Sequence, residues 1–351
     1  MTFIVREVHR DDLGQLVDLA KQFSLLNLPA DKKVIGDKIE KSEHSFAKKL
    51  PRTESEYLFV IEDLEEQLIV GSSLIMAKHG TEDVPHSSFK VLERNHVSQD
   101  LGIGFIHKVL RFQWDENGPT EIGGLLVDRL YRKRPEKLGK QISLSRFLYM
   151  ALHRQDFEDR VLCELTPPLT EEGRSEFWEA LGRRFTGLPY QEADLLSQGN
   201  KEFIRSLFPE QDIYMCLLDA KARLVCGRVG EETKPAQHLL ESIGFKYTEE
   251  VDPFDGGPHF GADMKDILPV KLSRKMTVSS FTNANFQLQG LVGFVGENGF
   301  RAGLVNYASD GDMICVAPAS RKILGIEDGQ EILVSPFEFH GNKQQAGKEH
   351  K

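Results

Sequence analysis

A strand, a basic turn and a helix follow one another between residues 122 and 153, and this segment constrains the fold most. The apolar run that contains Leu125, Leu126 and Val127 predicts a buried strand. Residues 131–140 form a polar turn rich in lysine and arginine, and a helical pattern starts near Gln141. The first N–H groups of a helix have no partners within it and carry partial positive charge. The segment therefore predicts an anion site that suits a pyrophosphate.

The turn also contains a recognisable spacing, Arg134-x-x-Lys137-x-Gly139. It resembles the Arg/Gln-x-x-Gly-x-Gly/Ala signature of GCN5-related N-acyltransferases, which holds the pyrophosphate of an acyl-coenzyme A, although Lys137 replaces the first glycine. Arg134 and Lys140 could pair with phosphates and Gly139 permits close backbone approach; a solvated basic loop is the alternative. Ser143 could cap the helix or touch a phosphate.

Composition limits the classes of function. The chain has 351 residues, 40% hydrophobic and 28% charged, as is typical of a soluble globular protein. No apolar run approaches the ~18 residues of a membrane helix, and the N-terminus lacks signal-peptide organisation. The net charge of −10 argues against nucleic-acid binding. The cysteines are far apart, which predicts reduced thiols in a cytoplasmic protein and no metal site: Cys163, Cys216, Cys226 and Cys315.

Strands and helices alternate up to about residue 250, which predicts a mixed α/β sheet. Two apolar segments, 57–62 and 68–77, flank a charged turn and predict an antiparallel hairpin. A strand is predicted over residues 213–218. A helix is predicted to start near Glu171, and its apolar residues share one side: Phe177, Trp178, Leu181 and Phe185.

After residue 271 turn residues recur between short apolar runs, as in a small β-rich module. We therefore expect an α/β region over residues 1–270, the β-rich module over 271–340, and a polar, disordered tail over 341–351.

The segment over residues 172–185 reads EGRSEFWEALGRRF. It resembles the E-G-R-S-P-F-W-x-x-L-G-x-x-F stretch of arginine N-succinyltransferases, and further matches follow in the same order over nearly the whole chain. These are Leu28-Pro29-Ala30, Tyr57-x-Phe59-Val60-x-Glu62-Asp63, Ala193-Asp194, Gly199-Asn200-Lys201-x-Phe203-Ile204 and Val251-Asp252-x-Phe254-Asp255-Gly256-Gly257-Pro258.

The resemblance implies the GCN5-related N-acyltransferase fold and succinylation of the α-amino group of arginine, or ornithine in some members, at the start of an arginine-degrading pathway. Succinyl-CoA would be a co-substrate, with no permanently bound cofactor, and the family's succinyl-CoA contact corresponds to Leu125. Arg174 and Ser175 could contact the succinyl carboxylate or the amine; Arg174 could instead bond helix or loop carbonyls.

Two departures affect the catalytic residues. The family's loop reads G-x-V-H-P-x-T-x-P-A, and Gly230 stands at its proton-donating histidine. The family's E-M-R-G strand end is here Glu164-Leu165-Thr166-Pro167, so its arginine is missing. Candidate replacements for the histidine are Glu231 and Glu232, for which an exposed acidic turn is the favoured alternative, and His259.

The chemistry needs a neutral amine that attacks the thioester directly, with an N–H near Leu125 stabilising the developing oxyanion. Three functions stay open: an arginine or ornithine succinyltransferase, an N-acyltransferase with another small-molecule amine acceptor, and a non-catalytic subunit that supports an active paralogue. The resemblance also implies a homo-oligomer or a hetero-oligomer with a family paralogue, because some family members work as two unlike chains.

Overall fold

The protein is described by a computed structural model that covers residues 2–23, 29–197, 202–280 and 284–339. Leu28, the match at residues 199–201 and the predicted tail over 341–351 lie outside these ranges. The strands are β1 Phe3–Glu7, β2 Glu56–Asp63, β3 Leu68–Met76, β4 His86–Ser98, β5 Ile103–Asp115, β6 Thr120–Val127, β7 Arg160–Glu164, β8 Ile213–Tyr214, β9 Lys246–Val251, β10 Pro258–Asp263, β11 Arg274–Val278, β12 Leu288–Gly296, β13 Gly299–Asp310, β14 Met313–Val316 and β15 Glu331–Pro336. The helices are α1 Leu13–Ala20, α2 Lys32–Phe46, α3 Leu138–Leu152, α4 Glu176–Ala180, α5 Gly182–Thr186, α6 Tyr190–Ser197, α7 Glu202–Leu207, α8 Ala220–Val225, α9 Lys234–Ser242, α10 Leu268–Lys271 and α11 Pro318–Leu324.

These strands form one sheet in the order β12-β15-β11-β14-β13-β1-β2-β3-β6-β7-β10-β9-β4-β5-β8. The pairs β6–β7 and β11–β14 are parallel, and the neighbours of β6 and β7 on either side are antiparallel. The hairpin predicted before residue 77 is β2–β3. The mixed α/β sheet is thus confirmed.

Strands β6 and β7 separate soon after they begin. They pair only through Thr120 with Val161 and Glu121 with Leu162, although both strands continue beyond these residues. On its other side β6 is bulged: Ser72 pairs with Leu126 and Leu74 with Gly123, so two residues of β6 face one residue of β3. A bulge increases bending and twist, and the result is a wedge-shaped opening in the middle of the sheet.

Helix α3 packs against one face of the sheet, and α1 and α2 pack against the other. Almost every residue of α3 is buried, as expected of a helix whose apolar side chains lie all round its axis. The helix begins at Leu138, three residues before the predicted start. Its buried apolar side chains are Ile142, Leu144, Phe147, Leu148, Tyr149 and Met150. On the opposite face Leu126 joins a cluster with residues of α1 and α2, such as Leu16 and Ile39.

The long β4–β5 hairpin and the helices α4 to α8 surround a second core that includes Trp178. The predicted helix start near Glu171 is wrong: Ser175 accepts a hydrogen bond from the N–H of Trp178 at 3.0 Å and caps α4 there. The helix breaks at Leu181, whose φ of −125° is not helical, and α5 follows. Phe185 is therefore 40% exposed and lies at the edge of this core, where its ring centre is 5.9 Å from that of Phe208.

The predicted strand over residues 213–218 is also too long. Only Ile213 and Tyr214 pair with β5, because Met215–Leu217 form a 3-10 turn.

Strands β11 to β15 and helix α11 form the C-terminal β-rich region, with its own apolar cluster around Val292, Ile314 and Ile332. The predicted β-rich character is confirmed. Strand β13 pairs with β1 through Val5 and Ala302, so the sheet continues from this region into the rest of the chain. The boundary at residue 270 stays a prediction.

Candidate active site

A cavity of about 1870 Å³ opens at the wedge between β6 and β7 and extends to the start of α3. It brings together most of the residues predicted from the sequence. Those on its wall are Leu125, Leu126, Val127, Arg134, Gly139, Lys140, Ser143, Glu231 and Glu232. Three predicted residues within the described ranges do not line it, namely His259, Arg174 and Ser175.

The bulge in β6 lies on the cavity wall. Gly124 and Leu125 together face Ser73, and Gly124 has a φ of +56°, a left-handed conformation that glycine adopts without strain. An added Cβ at Gly124 would also lie 3.1 Å from Cβ of Leu74. The bulge therefore interrupts the ladder where the resemblance places the donor contact.

The start of α3 offers unpaired amides to the same cavity. Lys137, with a φ of 53°, precedes the helix, and its carbonyl oxygen accepts from the N–H groups of Lys140 at 2.9 Å and Gln141 at 3.0 Å. The N–H groups of Leu138 and Gly139 have no acceptor among the described residues. Two adjacent amides at a helix N-terminus can bind an oxyanion.

The cations around this helix start differ in their partners. Lys137 and Lys140 each place Nζ 2.8 Å from a carboxylate oxygen of Glu338. These hydrogen bonds, of which the one from Lys137 has the larger effect, hold the pKa of Glu338 below its usual value. The guanidinium of Arg134 lies 4.1 Å from the centre of the Tyr131 ring and forms no ion pair within the described chain. Arg134 is thus a cation that a phosphate could meet without displacing a carboxylate.

Ser143 does not cap α3, since it lies in the second turn of the helix. Its hydroxyl accepts a hydrogen bond from Nη2 of Arg146 at 2.8 Å. A phosphate contact by Ser143 stays a prediction.

The buried Arg146 side chain is a functional candidate that sequence reasoning missed. It is 2% exposed, and it lines the cavity beside Gly123, whose carbonyl oxygen accepts from Nη1 at 3.2 Å. Burial lowers the pKa of the guanidinium to about 10, so it stays charged at neutral pH. In the sequence, Arg146 shares a helical spacing of four residues with Ile142 and Met150, and this pattern does not predict a buried cation.

Glu231 and Glu232 lie at the rim of the cavity and are exposed. Glu231 pairs with Lys234 at 2.5 Å. Gly230 packs behind them: its N–H donates to the carbonyl oxygen of Thr166 at 2.9 Å. An added Cβ at Gly230 would lie only 2.9 Å from the carbonyl oxygen of Pro167. The two departures from the family pattern are therefore in contact, and the acidic pair has the geometry of a solvated turn.

His259 lies behind the cavity wall in a group of buried and half-buried polar side chains, which we call the histidine–glutamate cluster: His79, His86, Glu121, Glu164 and His259. His259 is fully buried, and its Nε2 lies 3.5 Å from Oε1 of Glu164. Burial lowers the pKa of His259, so its imidazole is neutral near pH 7. Glu164 also lies 3.8 Å from Nδ1 of His86, and Glu121 contacts Nδ1 of His79.

Three members of the cluster, His79, Glu121 and Glu164, line the cavity. They come from β6, β7 and the β3–β4 loop, so no local sequence motif could have revealed them. Potential ligand atoms of His79, His86 and Glu164 lie within 4.8 Å of one another, as do those of Glu164, Asp252 and His259. Either group has donor types that Zn²⁺ accepts, and the predicted absence of a metal stays a prediction.

Arg174 and Ser175 are held by local contacts. The Arg174 side chain is exposed and lies 3.4 Å from Glu172. Ser175 caps α4, and its hydroxyl donates to the carbonyl oxygen of Asp255 at 3.4 Å. Substrate contacts by these two residues stay predictions that the geometry does not favour.

None of the helices in the described ranges combines the length and apolarity that crossing a bilayer requires.

Comparisons with known proteins agree with this architecture. The family described as "Arginine N-succinyltransferase beta subunit" matches residues 3–269. An arginine N-succinyltransferase of Yersinia pseudotuberculosis serotype O:3 is 34% identical over 344 residues, which cover 95% of this chain and 97% of that protein. One from an Enterobacter species is 35% identical over 279 residues, covering 79% and 80% of the two chains.

A solved structure is similar over the same extent. The arginine/ornithine succinyltransferase subunit AI from Pseudomonas aeruginosa superposes with a TM-score of 0.83 at 29% identity, covering 96% of this chain and 99% of that one. This similarity confirms the N-acyltransferase fold that the sequence predicts.

Proposed function

Since this chain belongs to the arginine N-succinyltransferase family, we propose that it transfers a succinyl group from succinyl-CoA to the α-amino group of L-arginine. The family and the fold make it an acyl-CoA-dependent N-acyltransferase. The succinyl group and the arginine acceptor are the proposal, as is a place at the start of arginine breakdown. One observation carries it most: a single cavity joins the bulged strand β6, the unpaired amides of α3 and the carboxylates of Glu121 and Glu164.

The donor would bind with its pyrophosphate at the start of α3. The N–H groups of Leu138 and Gly139 would donate to phosphate oxygens, and Arg134 would pair with a phosphate. The described chain leaves room beside Gly139, where an added Cβ would meet only Val127, at 3.5 Å. Lys140 would contribute once it exchanges Glu338 for phosphate.

The pantetheine arm would then run along β6 towards the wedge. At the bulge, the N–H of Leu125 would donate to the thioester oxygen, which gains negative charge as the amine attacks. Leu125 and Val127 pack on the core side of the strand and Leu126 on the opposite side. Their side chains would fix the strand while the backbone contacts the donor.

The reaction requires a neutral amine and a proton acceptor. A free α-amine has a pKa of roughly 8, so part of it is neutral at cellular pH. The amine nitrogen bonds to the thioester carbon and loses a proton, the C–S bond breaks, and the coenzyme A thiolate leaves and is protonated. We assign the proton acceptor to Glu121, with His79 in contact with its carboxylate. Glu164, with His259 behind it, lines the cavity across the wedge and is the next candidate.

The test is release of coenzyme A thiol from succinyl-CoA by the purified chain with L-arginine or L-ornithine as acceptor. We expect release to depend on both substrates and the product to be the Nα-succinyl amino acid by mass spectrometry. Agmatine, which keeps the corresponding primary amine but lacks the carboxylate, is the matched control acceptor. Release with neither amino acid, in a protein that binds succinyl-CoA, would contradict the proposal.

A second candidate function is favoured by Gly230, because the histidine position of the family is occupied by a residue packed against Thr166 and Pro167. The chain would then be a supporting subunit of a histidine-bearing paralogue. The similar Pseudomonas chain is itself called a subunit. Mixing this chain with such a paralogue distinguishes the two: a supporting subunit is inactive alone, forms a hetero-oligomer by gel filtration and raises its partner's turnover.

A further inference from the structure

The buried cation of Arg146 has no anionic partner among the residues that the structure describes. Its three hydrogen bonds there are all to uncharged oxygens. Nε donates to the carbonyl oxygen of Ser143 at 3.2 Å, Nη1 to the carbonyl oxygen of Gly123 at 3.2 Å, and Nη2 to the hydroxyl of Ser143 at 2.8 Å. Since a guanidinium has five N–H groups, two remain for another acceptor.

A buried, unpaired charge is costly, and proteins usually pair it with an opposite charge. The pKa of Arg146 is lowered by burial, yet the group is still protonated at neutral pH. The titratable group that acts on its pKa is Cys163 on β7. Burial raises the pKa of Cys163 to about 12, so that thiol supplies no negative charge. The cavity that both side chains line is where a compensating anion can enter.

The position of Arg146 matches the reach of a short dicarboxylic acyl group. The guanidinium is bonded to the carbonyl oxygen of Gly123, and Leu125 follows two residues later across the bulge on the same cavity wall. In an extended succinyl group the two end carbons are roughly 4 Å apart, given C–C bonds of about 1.5 Å. Hydrogen bonds of about 3 Å at each end let such a group bridge two sites that lie two residues apart.

We propose that Arg146 binds a substrate carboxylate, and that this is the terminal carboxylate of the succinyl group on the donor. The inference rests on the proposed function and adds the group that distinguishes a dicarboxylic donor from a neutral one. The two free N–H groups would donate to the carboxylate, while Ser143 and Gly123 hold the guanidinium in place. The α-carboxylate of the acceptor is the other possible source of the same chemistry.

Binding measurements test this without requiring turnover. Succinyl-CoA, butyryl-CoA and free coenzyme A are titrated into the wild-type chain, Arg146→Met and Arg146→Lys by calorimetry. Butyryl matches succinyl in length but ends in a methyl group. We expect the wild type to prefer succinyl-CoA over butyryl-CoA by about 10- to 100-fold, as a charge-assisted pair allows. Arg146→Met should lose that preference, and Arg146→Lys should keep part of it.

Arg134→Met is the matched control. It should weaken all three ligands similarly and leave the succinyl-to-butyryl ratio unchanged, because it acts on the phosphates. Retained affinity for free coenzyme A shows that an Arg146 variant is folded. If Arg146→Met does not fold, the wild type and Arg146→Lys still test the proposal. Equal affinities of the wild type for succinyl-CoA and butyryl-CoA would overturn it. An affinity ratio that is the same in Arg146→Lys as in the wild type would also overturn it.

The acceptor arm compares L-arginine with agmatine, which lacks the carboxylate, for binding in the presence of coenzyme A. If Arg146→Met loses the preference for arginine but keeps that for succinyl-CoA, the carboxylate belongs to the acceptor and the donor assignment is overturned. If the donor preference depends on Arg146 but no amine is succinylated, the inference stands and the proposed function fails.

Discussion

At the scale of single residues, the proposed chemistry depends on Glu121 and Gly230. Glu121 is 5% exposed and lies on β6 close to the bulge, whereas Glu231 is exposed and paired with Lys234. Gly230 stands at the position where the resemblance places the family's histidine, and it packs closely against the backbone of Pro167. A buried carboxylate beside the wedge therefore has better access to an amine proton than the acidic turn.

We predict that Glu121→Gln lowers kcat by about 10²- to 10⁴-fold, the usual contribution of a positioned base. The dissociation constant for succinyl-CoA should change little, because the carboxylate acts on the amine. Steady-state kinetics and calorimetry measure the two quantities. Glu231→Gln is the comparison variant; if it removes activity and Glu121→Gln does not, the exposed turn is the base after all.

Gly230→Ala should destabilise the fold by about 1–3 kcal/mol, the usual cost of overpacking, because the new Cβ would lie 2.9 Å from the carbonyl oxygen of Pro167. Urea unfolding gives the free energy. Gly14→Ala is the control, since a Cβ there meets nothing within 4 Å. Equal free energies of unfolding for the wild type and Gly230→Ala would show that the loop adjusts to the added Cβ at little cost, and that a histidine could be accommodated.

At the scale of secondary-structure elements, the strand–turn–helix unit could be predicted because all of its signals are local. The apolar run, the basic turn and the helical pattern lie within residues 120–152, and the structure has β6 and α3 there. The break after α4 could not be predicted, since it depends on Gly182 packing against the Trp178 ring, where an added Cβ would be 2.2 Å away. Cap residues have the same ambiguity: a serine such as Ser175 can serve a helix or a ligand.

Replacing Ser175 separates these two roles. Ser175→Ala should lower the free energy of unfolding by about 1 kcal/mol through loss of the α4 cap. Turnover at saturating substrate should stay near the wild-type value, and Ser175→Thr should restore the stability. Chemical unfolding and steady-state kinetics are both needed. A large rise in KM without loss of stability would instead support the substrate contact that the resemblance implies.

At the scale of the whole molecule, the histidine–glutamate cluster arises only when distant strands meet. β10 places His259 opposite Glu164 of β7, and the β3–β4 loop adds His79. The sequence contains these residues without any shared spacing, so their proximity could not be predicted before the strand order was known. The same holds for the join between β1 and β13, which ties the C-terminal region to the first strand.

Burial of His259 predicts how stability depends on pH. Desolvation lowers its pKa in the folded state, with Asp252 and Glu250 opposing part of the effect. The unfolded chain therefore binds the proton first, so this stability is complete above about pH 6.5. It is lost as the pH falls through the lower folded-state pKa, by up to about 1.4 kcal/mol per pH unit. Urea unfolding between pH 8 and pH 5 measures it.

The matched variants are His259→Gln and His238→Gln, since His238 is exposed. His259→Gln should flatten the acid side of the stability profile, and His238→Gln should leave it unchanged. Parallel profiles for all three proteins would mean that His259 titrates normally.

Glu338 follows β15, the last strand along the chain, and it binds Lys137 and Lys140 at the start of α3. The start of α3 thus has an anion of its own, and donor binding would exchange one negative group for another. Small monoanions gain little from such an exchange, whereas a diphosphate brings more charge than the carboxylate it displaces. Donor binding would then free the Glu338 side chain from both lysines.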